Sequence, residues 1–193
     1  MPNQNVRRVK IPSLEELTKT QQKIYDDIKY GKRNEVPDLF MVLMHSPEIA
    51  SRTQALGEKL RYDTSIPKKL SELAILIVAR FWRCPYEWHY HEPEAIESGL
   101  DIEIIKSIKE LKKPYFKYIE EESIYNFTNE LLYNRCVDDM TYEKALSNFG
   151  EKGVVELTSL IGYYCMIAMT LNEHNVPLPN NSSAKIPSTK EKF

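Results

Sequence analysis

The stretch TSIPKKLSELAILIVARFWR, from Thr64 to Arg83, constrains the fold more than any other part of the chain. Pro67 stands where a helix begins, and a proline at that point loses no hydrogen bond. Behind it the apolar positions run on without the every-other-residue alternation of a half-buried strand. Elsewhere apolar residues recur at spacings of three and four, and the chain has only six glycines. Together these features predict an almost entirely α-helical, all-α fold.

The remaining helices follow from local signals. Ser13 followed by Glu16 is a capping-box signature and predicts a helix from Leu14 to Tyr30. EVPDLFMVLMHSP predicts a short apolar helix between two prolines, and Pro47 opens the next, to Tyr62. CPYEWHYHEPEAIESG starts another at Pro85, closed by Gly99, and Asp101 caps a short one through Leu111. Three more are expected over Tyr118–Val137, Thr141–Phe149 and Glu151–Asn172. A single domain is expected over 1–176, with a polar, mobile tail over 177–193, where PLPNNSSAKIPSTKEKF is broken by prolines. Shifting the chain by 84 residues aligns Glu72–Leu73 with Glu156–Leu157 and Pro93 with Pro177, a faint internal repeat. Ala168 and Asn175 then fall where Cys84 and His91 stand, so one reactive site per chain is expected.

Composition narrows the class of partner. A net charge of −2 gives no bulk attraction to nucleic acid or to an anionic membrane surface. The N-terminal MPNQNVRRVKIPSLEEL lacks an apolar core of signal-peptide type, and the apolar runs at Leu73–Ala79 and Tyr163–Met169 are too short to span a bilayer. Cys84, Cys136 and Cys165 are odd in number and widely spaced, which fits a reducing compartment. A cytoplasmic protein with no nucleic-acid or membrane partner is expected.

Reactive side chains concentrate at the end of the apolar stretch. Pro85 as first helical residue makes Cys84 the N-cap. A thiol there feels unpaired N–H groups and the positive end of the helix dipole, which lower its pKa. Cys84, Glu87 and His91 are spaced by three and four, so they share one face, with Trp88 beside them. Glu72, twelve residues before Cys84, returns to this face if a tight turn joins the two helices. An imidazole held by carboxylates is a general acid or base near neutral pH. Glu87 opposes the helix dipole at Cys84, and the sequence does not give the sign of the net effect. The Glu87–His91 spacing also suits a pair of metal ligands, but no further ligand cluster accompanies it, and no metal or cofactor is expected. Cys136 and Cys165 read as core residues, His89 as a surface residue, Trp82 and Trp88 as core or pocket wall. His45 and His174 carry no role.

The spacing Glu72, eleven residues, Cys84, two residues, Glu87, then EWHYH with His91, resembles the carboxymuconolactone decarboxylase superfamily, which includes the alkylhydroperoxidase D-like proteins. VVELTSLIGYYCMIAMTLNEHNVPLP also resembles long members, and the likeness runs from Pro37 to Pro179. It implies an alkylhydroperoxidase D-like helical bundle assembled as trimers or hexamers. It also implies a small-molecule substrate. In the peroxidase branch Glu72, Cys84 and His91 correspond to the glutamate, first cysteine and distal histidine. Glu87 replaces the second cysteine and Tyr86 a histidine, so no C-x-x-C disulfide can form. The decarboxylase branch resembles this chain in its EW and following histidine and needs no cysteine.

Three functions follow. The first is acid–base chemistry on a small carboxylated lactone or organic acid, with Glu72, Glu87 and His91 moving protons and Arg80, Tyr86 and Trp88 meeting substrate. The second is peroxiredoxin-like, antioxidant reduction of hydroperoxides by Cys84, recycled by an external thiol. The third is a non-catalytic binding or assembly module.

Overall fold

The structure is a computed structural model and describes residues 7–179, 182–183 and 185–187. Helix accounts for 69% of the chain and no strand occurs among the described residues, which establishes the all-α class. A 3₁₀ turn, Leu14–Glu16, precedes α1 (Lys19–Lys29), α2 (Asp38–Leu43), α3 (Pro47–Tyr62), α4 (Lys68–Phe81), α5 (Pro85–Glu97), α6 (Ile102–Lys109), α7 (Ile119–Asn134) and α8 (Asp139–Glu173). The chain divides into two compact units, Met1–Asp63 with Thr170–Pro177, and Thr64–Met169 with Leu178–Phe193.

In the first unit, α3 packs on α1 and α2. The single helix expected from Leu14 to Tyr30 is in fact two pieces. The Ser13–Glu16 capping box forms, but Thr18 then accepts from the backbone N–H of Gln21 and builds a second box with its side chain. That second cap stops the first turn and restarts the helix.

The second unit is organised around α4, which packs on α5, α6 and α7. Every residue from Leu70 to Ala79 is buried, the pattern of a helix enclosed on all sides. Pro67 caps its start, as expected. Its end is a tight left-handed close. Arg83 adopts φ 48°, its N–H bonds to the Arg80 carbonyl, and the Cys84 N–H reaches back to the Ala79 carbonyl at 2.9 Å. This is the Schellman pattern with arginine where glycine is usual. Cys84 thereby ends α4 and caps α5, with Pro85 as the first helical residue. Gly99, at φ 87°, closes α5 by the same device, bonding to the Ile96 carbonyl while Leu100 bonds to that of Ala95.

Two expected helices, Thr141–Phe149 and Glu151–Asn172, run on as α8, but Gly150 between them has φ 66° and ψ 175° and breaks the helix. By length and composition α8 is long and apolar enough to cross a membrane, with a mean hydropathy of 1.6 over its most apolar 18 residues. Half of that window is buried within the fold, as in a core helix. Of the tail expected over 177–193, residues 180, 181, 184 and 188–193 lie outside the described residues. Among the described ones, Ile186 is buried and Lys185 pairs with Glu92.

Gly150 tests the break. A Cβ there meets nothing within 4 Å, so its cost is purely that of the backbone conformation. Gly150→Ala should lower stability by about 1–3 kcal/mol, read as a lower urea midpoint. An unchanged midpoint would show that this segment accepts a continuous helix.

Candidate active site

The tight turn at Trp82–Cys84 folds α5 back on α4, and the two helices pack directly against each other. The consequence is a contact between residues 19 apart in sequence: His91 Nδ1 lies 2.7 Å from Glu72 Oε2. The other ring nitrogen, Nε2, lies 3.5 Å from Glu87 Oε2. Glu72, Glu87 and His91 are each no more than 5% exposed. An imidazole thus stands between two carboxylates in a space from which water is nearly excluded.

Proton counting limits what this trio can do. Two carboxylates offer only acceptors when ionised, and a neutral imidazole donates through one nitrogen alone. The 2.7 Å contact with Glu72 is a hydrogen bond, whereas the 3.5 Å contact with Glu87 is an ion-pair distance that a small shift would shorten, and the protons can then be placed in either of two ways. An imidazolium can donate to both carboxylates, or a neutral ring can donate to one and accept from the protonated other. Shifting one proton between a ring nitrogen and the carboxylate beside it interconverts them, which is the requirement for a relay. Tyr164, 3% exposed, sets its ring edge-on to His91 with centroids 5.0 Å apart, and fixes the imidazole plane. The sequence reading passed over Tyr164; its signal is the Tyr163–Tyr164 pair inside an otherwise aliphatic part of α8.

Cys84 joins this face, 1% exposed. The helix-start position does not activate it. Burial, and then the neighbouring Glu87 carboxylate, push the thiol well above its ordinary pKa, against a weaker opposing pull from the backbone N–H groups of Glu87 and Tyr86. The sign left open by the sequence is therefore upward. Trp88 is fully buried and forms wall, its indole N–H without a hydrogen-bond partner among the described residues. Tyr86 is buried with its ring 5.0 Å from that of Tyr90.

Arg80 stands apart from this cluster. It is eight residues beyond Glu72 on α4, roughly 12 Å along the axis and 80° around it. Its Nε donates to the Lys109 carbonyl at 2.8 Å, and its side chain lines a cavity against α6 and α7. Cys136, expected in the core, is exposed, because the left-handed Arg135 ends α7 and turns the chain outward. Cys165 is partly buried.

Residues 47–129 match the model of the carboxymuconolactone decarboxylase family. This region is similar to that family. It contains Glu72, Cys84, Glu87 and His91. No curated protein gives a significant match to the sequence. Among solved structures, the fold matches an uncharacterized peroxidase-related protein with an alkylhydroperoxidase AhpD core from Ralstonia eutropha JMP134. Identity is 15%, coverage 94% of this chain and 98% of that one, and TM-score 0.73. A peroxidase-related protein from Silicibacter sp. TM1040 matches at 13% identity over 93% and 95% of the chains, with a TM-score of 0.71. The debrominase Bmp8 in complex with 2,3,4-tribromopyrrole matches at 10% identity over 90% and 94%, with a TM-score of 0.69. At these identities the likeness establishes the alkylhydroperoxidase-like fold and leaves the activity of the family region open.

Thiol labelling checks the site's electrostatics. In the native protein iodoacetamide should modify Cys136 first and reach Cys84 only on unfolding, because Cys84 lacks both access and thiolate character. Native labelling of Cys84 as fast as Cys136 would contradict the description of a closed, anionic site.

Proposed function

We propose that this carboxymuconolactone decarboxylase family protein performs cofactor-free acid–base chemistry, decarboxylation or a related proton transfer, on a small carboxylated lactone or organic acid. The observation that supports it is the imidazole of His91 held between Glu72 and Glu87, 2.7 Å and 3.5 Å away, in a buried space. In a decarboxylation the C–C bond to the carboxylate breaks and CO₂ leaves. The electron pair is delocalised into the conjugated lactone carbonyl, and His91 delivers the proton that restores a C–H bond. Glu72 or Glu87 then returns a proton to His91, and a proton from solvent replaces it when the site opens to release product, since each turnover consumes one. Burial suits this chemistry, since a relay screened from bulk water does not lose its proton to solvent.

A second reading places the chemistry on Cys84, as a hydroperoxide reductase recycled by an external thiol. It draws support from the thiol's place at a helix start beside the relay. The names of the peroxidase-related structural neighbours point the same way. Against it stand the thiol's burial and the upward push from Glu87. With either chemistry, we place the protein in the cytoplasm as a homo-oligomer acting on a small molecule, without nucleic-acid or membrane partners.

The two readings rank the same variants oppositely. On a panel of carboxylated lactones and related acids, His91→Ala should lose a factor of roughly a hundred to ten thousand in rate, while Cys84→Ser keeps most of it. Hydroperoxide consumption with a dithiol reductant, assayed on the same proteins, should be slow throughout. Fast peroxide turnover abolished by Cys84→Ser, with no lactone turnover in the parent protein, would sink the acid–base proposal.

A further inference from the structure

A second polar constellation lies in the other direction along α4. A cavity of about 250 Å³ opens among α4, α6 and α7, and none of Glu72, Cys84, Glu87 or His91 lines it. Its walls are amphipathic. Ile108, Phe81 and the ring of Tyr133 give an apolar slot, the last two edge-on with centroids 5.0 Å apart. Polar groups converge on the same space. Arg80 contributes a guanidinium whose Nε is anchored by the Lys109 carbonyl, so the fork is fixed in direction. Among the described residues no carboxylate pairs with Arg80 in an ion pair. The other cation at the wall, Lys112, is neutralised by Glu110 at 2.7 Å. Asn129, held in place by its side-chain N–H₂ donating to the Tyr125 carbonyl at 2.8 Å, also lines the cavity.

Such an arrangement is costly unless something uses it. An arginine partly withdrawn from water without a counter-ion is disfavoured, and burial together with the nearby Arg83 lowers its pKa. At the cavity rim Leu111 is held left-handed at φ 58°, closing α6, and remains 59% exposed. A leucine in that conformation carries a strain of order 1 kcal/mol. Exposed apolar surface, a slot beside two aromatic rings and a pre-oriented guanidinium with no ion-pair partner among the described residues are the parts of a site for a small organic anion.

We propose that the α4–α6–α7 cavity is a binding site for a small aromatic or otherwise flat carboxylate, its carboxylate on Arg80 and its body in the slot beside Phe81 and Tyr133. The volume admits one small molecule and excludes a peptide or a nucleotide chain. The site is separate from the Glu72–His91–Glu87 relay, so its occupancy does not depend on the acid–base proposal.

The probes are benzoate and its neutral isostere benzamide, titrated into the full chain and followed by two-dimensional ¹H–¹⁵N NMR. Benzoate should bind saturably and shift the amides of Phe81, Ile108, Leu111 and Asn129, leaving that of His91 unmoved. Benzamide should bind at least about tenfold more weakly, the usual scale for losing a charge-assisted hydrogen bond. Arg80→Gln should weaken benzoate about as much and leave benzamide unchanged. Asn129→Asp, which puts a negative charge beside the carboxylate without changing side-chain shape, should also weaken benzoate and serves if Arg80→Gln does not fold. The proposal is overturned by absence of saturable shifts, by shifts centred on His91, by equal affinity for the two probes, or by benzoate affinity unchanged in a folded variant.

Discussion

The contact between Glu72 and His91 is the constraint on which the rest of the second unit depends. Glu72 is the one carboxylate inside ten consecutive buried residues of α4, and an isolated charge there would cost several kcal/mol. It is tolerable because His91 is delivered to it at 2.7 Å. That delivery requires α5 to fold back at once, which the left-handed Arg83 and the shared cap residue Cys84 accomplish within three residues. Chain direction, helix pairing and the site are thus consequences of one buried pair. Removing either partner leaves the other uncompensated, a loss of about 3–5 kcal/mol.

The same burial divides the work among the site residues. It brings a proton carrier between two carboxylates and, by the same exclusion of water, pushes the Cys84 thiol away from the thiolate form. Glu87 faces both groups: it lies 3.5 Å from the His91 ring and is a negative neighbour for the sulfur. Three residues after Cys84 the chain thus offers a carboxylate and no second sulfur.

Much of this was legible from the sequence because the deciding signals are local. The enclosed α4, the start of α5 at Pro85, the close at Gly99 and the one-face spacing of Cys84, Glu87 and His91 follow from helix period and cap chemistry. The return of Glu72 onto that face also needed only a short turn. What was missed depends on competition or on distance. Thr18 is a second cap close behind Ser13, and two adjacent caps cannot be ranked by pattern. The sign at Cys84 rests on burial, which no spacing reveals. Tyr164 comes from a helix more than seventy residues away. Arg80 lies outside the cluster for a reason the sequence did contain: it stands eight residues, roughly 12 Å along the axis, beyond Glu72.

The most exacting requirement of this site is that His91 hold protons between Glu72 and Glu87, shielded from water. Its most direct test is ¹H–¹⁵N NMR of the imidazole rings in protein labelled with ¹⁵N-histidine, with His45, His89 and His174 as internal references. A His91 ring N–H resonance shifted downfield by its carboxylate partner and slow to exchange with solvent is expected. A His91 ring proton that exchanges as fast as those of the other histidines would contradict it.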